Sequence, residues 1–170
     1  MILVFDSTPL IYLAKVEILS KLTDLNIELV IPRKVYEEVV EEGRRKGKQD
    51  AFAVEKLVSA GKFKVAEAKD KKFLNHISAN PALSPADAET LALAKELKGT
   101  ALLDESISRS VAEVEGIALH GSVFLLFLMQ KRRIISKAEL RNLFDSMISA
   151  GWRCSTELYA AILAEIEKLK

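Results

Sequence analysis

The chain has 170 residues, of which 49% are hydrophobic, and a formal net charge of +1. That length is about one domain with a core that needs no disulfide staples, and the near-neutral charge excludes a global basic field, so a polyanion would have to bind at a local patch. The single cysteine, Cys154, excludes an internal disulfide and suggests a reducing compartment; with only His76 and His120 beside it, a Cys/His zinc site is not expected.

In chain order, the apolar run Ile2 to Phe5 meets Asp6 and a Ser-Thr-Pro cluster, and an apolar pattern at helical spacing follows. This reads as a buried strand, a turn and a helix over about Pro9 to Leu22. ELVIP is a short strand ending at Pro32, and RKVYEEVVEEGRRKG is a helix that stops near Gly43 or Gly47. Asp50 to Ala60 is helical with Gly61 as its stop, KFKVAEA alternates like a strand, and Lys69 to Ala79 is a weaker helix ended by Asn80-Pro81. Ser84-Pro85 opens a helix that Gly99 closes, and TALLD is a buried strand. Glu105 to Glu115 is helical, IALHG is a short strand, and the chain from Ser122 onward is helical.

Alternating strands and helices imply a mostly parallel sheet covered by helices. No repeat, low-complexity tract or linker divides the chain, so residues 1–170 are expected to form one domain, with about 122–170 as a helical C-terminal extension. The first apolar run is broken by Asp6 before it reaches signal-peptide length, and the apolar run Val123 to Met129 falls short of the ~20 residues a bilayer requires. The expectation is a soluble cytoplasmic protein. VFLLFLM is expected to be core, with a partner surface as the alternative.

Two strands deliver an aspartate at their last position: ILVF ends in Asp6 and TALL in Asp104. If the strands are parallel, both carboxylates lie on one rim of the sheet, where open α/β sheets bind ligands. The ordinary reading of each is a helix cap. Helices add further acids. On the helix from Arg33, the apolar arc of Val35, Tyr36, Val39 and Val40 leaves Glu37 opposite, with Glu38 and Glu42 at its borders, and Glu38 is nearer the rim. Asp87 falls in the first turn of the Ser84-Pro85 helix, where it also reads as a capping-box acid. Glu89 lies about 200° around the same helix and is held in reserve. Carboxylates converging with few cations between them repel unless a cation joins them, and hard oxygen ligands suit Mg²⁺ or Mn²⁺. Such ions serve phosphodiester hydrolysis.

The order of DSTPLIYLA, IPRKVYEEV, SPADAETLALAKEL and ALLDESISRSVAEVEGIALHGS makes the chain similar to the PIN-domain family, and in particular to toxin-type nucleases of prokaryotic toxin–antitoxin pairs, from Ile2 to about Leu163. The resemblance implies a Rossmann-like three-layer α/β/α fold and a Mg²⁺- or Mn²⁺-dependent ribonuclease acting on single-stranded or structured RNA. It also implies an antitoxin protein as partner and a homodimer. Asp6 matches the family's first acid, Glu38 the acid of its P-x-x-V-x-x-E pattern, Asp87 the acid opening the third helix and Asp104 the acid after the later strand; Ser7 and Thr8 match its hydroxyl positions. Two departures matter. DAETLALA stands where many members have D-A-x-x-A-A-x-A, leaving Asp87 against Glu89 open, and Asp104-Glu105 lacks the usual T-x-D. Alternation along an extended chain lets only one of Asp104 and Glu105 face the pocket.

Arg109, one turn into the following helix, is a candidate for a carboxylate or phosphate contact, against a plain surface arginine. The basic stretches Arg44 to Lys48 and Lys131 to Arg133 could receive an RNA backbone, although solvated helix ends are the commoner meaning. No nucleophile elbow supports a Ser122–His120 triad, and no G-x-G-x-x-G or Walker A pattern follows a strand. A PIN-fold module that binds RNA or assembles with protein without cleaving is the alternative function.

Overall fold

Five short strands form the centre of the computed structural model, which describes residues 1–169. They are β1 (Ile2–Phe5), β2 (Glu28–Pro32), β3 (Lys64–Ala66), β4 (Thr100–Leu102) and β5 (Ala118–His120). The sheet order is β3-β2-β1-β4-β5, and every neighbouring pair is parallel. Register places Val4 beside Val30 on one side and beside Ala101 on the other. Both faces of such a sheet are covered, so its strands read as apolar runs rather than as alternating ones.

Side chains alternate along each strand and divide the core in two. Leu3, Phe5, Leu29, Ile31 and Leu102 pack into one cluster, and Val4, Val30, Ala101 and Leu103 into the other. The first cluster is covered by α1 (Ser7–Lys15), α2 (Arg33–Tyr36), α4 (Gln49–Ser59), α8 (Val123–Lys131), α9 (Lys137–Ser149) and α10 (Thr156–Lys168). The second is covered by α5 (Lys71–Ser78), α6 (Pro85–Glu96) and α7 (Ser106–Glu115). This is a three-layer α/β/α arrangement. Helix α2 runs on through a π-helical stretch, Glu37–Glu42, into α3 (Gly43–Arg45), so the helix expected from Arg33 is continuous but widened in the middle.

The first helix is shorter than expected. It starts at Ser7, capped by Asp6, and ends at Lys15, because Glu17 turns the backbone left-handed at φ 58°. A 3-10 segment, Leu19–Leu25, follows. Its three residues per turn stack Leu19, Leu22 and Leu25 on one side, and all three are buried. The VFLLFLM segment lies in α8 and buries Val123, Leu125, Leu126 and Met129 in the first cluster. Among the described residues no helix is long and apolar enough to cross a membrane.

Candidate active site

The chain winds from β1 outward through β2 to β3, then returns to the other side of β1 for β4 and β5. The reversal leaves a crevice beyond the carboxyl ends of β1 and β4. Asp6 opens that crevice, fastened by its backbone N–H to Leu102 O at 3.1 Å. It has the extended backbone of an N-cap, and its carboxylate accepts from Thr8 N at 3.5 Å, so it does cap α1. Capping alone does not account for its surroundings. Asp6 is 5% exposed, and its pKa is raised to about 7. Burial is the main cause, followed by the negative charge of Asp87 and, more weakly, of Glu38; the backbone N–H groups of Ser7 and Thr8 oppose the shift.

Glu38 leaves the π-helical stretch on its exposed side, and its Oε2 accepts from the hydroxyl of Ser7 at 2.9 Å. Its neighbour Glu37 is turned to the basic start of the same helix, bonding Arg33 at 3.2 Å and Lys34 at 2.9 Å. Asp87 completes a capping box with Ser84: Ser84 N donates to its Oδ2 at 2.9 Å while its own N–H donates to Ser84 Oγ at 3.0 Å. A box acid therefore also brings charge to Asp6. Glu89, equally buried, is engaged elsewhere: its Oε2 accepts from Lys34 N at 2.7 Å, satisfying a backbone donor at the start of α2.

Asp104 lies on the same rim but on the other face. Along β1, Phe5 packs into the first cluster, so Asp6 falls on the face of Val4 and the second cluster; along β4, Leu103 packs into the second, so Asp104 falls on the face of Leu102 and the first. There it accepts from Ser122 N at 2.7 Å, from Ser122 Oγ at 2.6 Å and from the Trp152 indole at 2.9 Å. The chain passes close by at Gly121, where a Cβ would stand 2.8 Å from Asp104 Oδ1. Gly121 and Trp152 escaped the sequence reading. Trp152 lies 48 residues from Asp104 with no motif around it, and nothing local in the sequence joins Ser122 to Asp104. Glu105, at the N-cap of α7, is exposed and makes no capping bond with its side chain.

Arg109 is exposed and forms no ion pair among the described residues. Partial burial and then the Arg109 charge lower the pKa of His120, whose ring stacks on Phe124 at 3.9 Å. With Ser122 Oγ directed to Asp104, no Ser–His couple forms. In the first basic stretch, Arg44 is paired with Glu55 at 2.6 Å and Lys46 with Glu42 at 3.4 Å, which reduces its capacity for phosphate.

Among the described residues no three of His, Cys, Asp and Glu are gathered closely enough to hold a metal ion. Glu38, Asp87 and Asp104 instead rest on protein donors. The donor chemistry nonetheless fits a hard divalent cation: all the groups are carboxylate oxygens, and the buried Asp6 is crowded by two like charges with no basic side chain among the causes of its shift.

A comparison with curated proteins finds no match. The model of a family described as a PIN domain matches residues 2–168, spanning all five strands and the helices on both faces. PIN domains are generally nucleases, and their family acts on nucleic acids. With that match over nearly its whole length, the chain belongs to the PIN-domain family.

Proposed function

We propose that the protein is a metal-dependent endoribonuclease that hydrolyses RNA phosphodiester bonds, with Mg²⁺ or Mn²⁺ as its cation. The observation that carries this reading is Asp6: a buried carboxylate at the reversal of the sheet, pressed by Asp87 and Glu38 and matched by no basic side chain. Asp6, Glu38 and Asp87 would hold the cation, with the Asp104-Glu105 pair supplying the fourth acid. When bound, such a cation withdraws charge from a phosphodiester and acidifies water. Ser7, buried beside Asp6 in the chain, donates to Glu38 Oε2 and so holds that carboxylate. Thr8 N and the start of α1 hold Asp6 in place. A toxin held by an antitoxin protein is the biological setting this reading supports.

A second reading, a PIN-fold module that binds RNA without cleaving it, draws on Asp104, whose oxygens are already taken by Ser122 and Trp152. Cleavage of labelled single-stranded RNA with Mg²⁺ or Mn²⁺, beside EDTA and Asp6→Asn controls, separates the two. Metal-dependent cleavage lost in both controls supports the nuclease; binding without cleavage across varied RNAs supports the module.

A further inference from the structure

Next to Asp104, on the face away from Asp6, lies a cavity of about 300 Å³. Its walls are Phe124, Phe127, Trp152, Leu158 and Ile162, and Asp104, Arg109 and Arg153 stand around it. A mostly apolar lining with a few polar groups is the usual composition of a small-ligand site. Both arginines are exposed, and neither forms an ion pair among the described residues. Their charge is therefore available to an anion. A structural arginine on this surface would be expected to resemble Arg141, which bonds Asp145 at 2.9 Å on the neighbouring helix.

Building on the nuclease reading above, we propose that this cavity holds one nucleobase of a single-stranded RNA, with Arg109 and Arg153 receiving the phosphates that flank it. Three features converge on that occupant. Aromatic side chains line the wall, and stacking on such rings is how proteins hold unpaired bases. The two arginines outnumber the one carboxylate that borders the cavity and so complement a polyanion, where an uncharged apolar ligand would leave them without a role. Asp104, at the border of the cavity, and Asp6 stand beyond the ends of neighbouring parallel strands, β4 and β1. A base in the slot would thereby set the register of the strand on the rim.

The chain's single tryptophan lines the cavity, so its fluorescence reports occupancy directly. The full-length protein in EDTA, where nothing is cut, is titrated with a six-nucleotide oligoadenylate, an oligouridylate and an abasic ribose-phosphate chain of the same length. The base-bearing oligonucleotides are expected to change Trp152 emission saturably and to bind about tenfold or more tightly than the abasic chain. Leu158 is 44% exposed, so Leu158→Glu leaves the fold intact while placing a negative charge in the slot, and it is expected to abolish that preference. Arg153→Ala is expected to weaken all three ligands and flatten their salt dependence. Equal binding of abasic and base-bearing chains, or a preference that survives Leu158→Glu, overturns the base site. Cleavage assayed in parallel with Mn²⁺ keeps the two readings apart. Cleavage without a base preference defeats this site alone, and a base preference without cleavage defeats the nuclease alone.

Discussion

The indole nitrogen of Trp152 donates to Oδ2 of Asp104 at 2.9 Å, joining the segment between α9 and α10 to the end of β4. With Ser122 N and Oγ it completes a set of three donors around one carboxylate. This is the polar counterpart of the apolar packing that places α8, α9 and α10 against the sheet.

Trp152→Phe keeps a ring in that layer and deletes the N–H. Hydrogen bonds to charged groups contribute about 1.5–3 kcal/mol, so urea unfolding should show a loss of that order. Asp104→Asn presents an NH₂ or a rotated carbonyl to donors that want a carboxylate, and it should also destabilise. The double variant should lose less than the sum, by about 1 kcal/mol, because both changes break one contact. Strict additivity would show that the bond contributes nothing.

Asp6→Asn separates charge from capping, since Asn is as good an N-cap as Asp. The folded pKa of Asp6 is raised to about 7 from an ordinary value of 3.8. Below the unfolded value both states hold the proton and no penalty exists. As pH rises from about 4 through about 7, the unfolded chain loses its proton first, and the metal-free protein loses stability on the order of 4 kcal/mol. Asn carries no such penalty. At pH 8 and in EDTA the variant should therefore melt several degrees above the wild type, and its melting temperature should change less between pH 4 and 7. Excess Mn²⁺ should reverse the order by stabilising only the wild type, and the variant should have lost RNA cleavage. A variant less stable than wild type in EDTA at pH 8 would show that Asp6 serves as a cap with a paired charge.

Gly121→Ala tests how tightly the loop after β5 is pressed on Asp104. The added methyl would stand 2.8 Å from Oδ1, too close for a real contact, and the carboxylate is held on three sides. Overpacking of this kind costs about 1–3 kcal/mol. Thermal unfolding should show that loss in the wild-type background and much less of it in Asp104→Ala, where the opposing oxygen is gone.

The sequence made Asp6 readable because everything that places it is local: an apolar strand, the acid, and a Ser-Thr-Pro start to a helix. Asp87 was readable for the same reason, through Ser84 and Pro85. Regular 100° spacing puts Glu38 only at the border of the buried arc, and its nearness to the rim favours it; the helix in fact widens there into i→i+5 bonding, and the bond from Ser7 crosses 31 residues that no periodicity records. The parallel sheet covered by helices followed from the alternation of elements, whereas the strand order β3-β2-β1-β4-β5 did not. What stayed hidden was which face each strand-end acid takes, because that depends on which residues of β1 and β4 pack into which layer. Trp152 could not be tied to Asp104 by any local rule.

The last prediction turns on that parity. Asp104 is occupied by three donors; if the alternation of β4 carries on past its end, Glu105 is expected on the face of Leu103 and Val4. Glu105 is exposed, and its side chain does not cap α7, so it is free of structural duty at the N-cap it occupies. Glu105→Gln should leave stability within about 0.5 kcal/mol of wild type, as surface changes do. It should nevertheless weaken Mn²⁺ binding, followed by calorimetry, about 10-fold or more, since changes even to groups behind a ligand have that effect. Asp104→Asn should show the opposite pattern, a loss of stability with a smaller change in Mn²⁺ affinity. If Asp104→Asn instead abolishes Mn²⁺ binding while Glu105→Gln is silent, the carboxylate must leave Ser122 and Trp152 to reach the ion. Trp152 fluorescence would then change on adding Mn²⁺ alone, which makes the two outcomes separable in one titration.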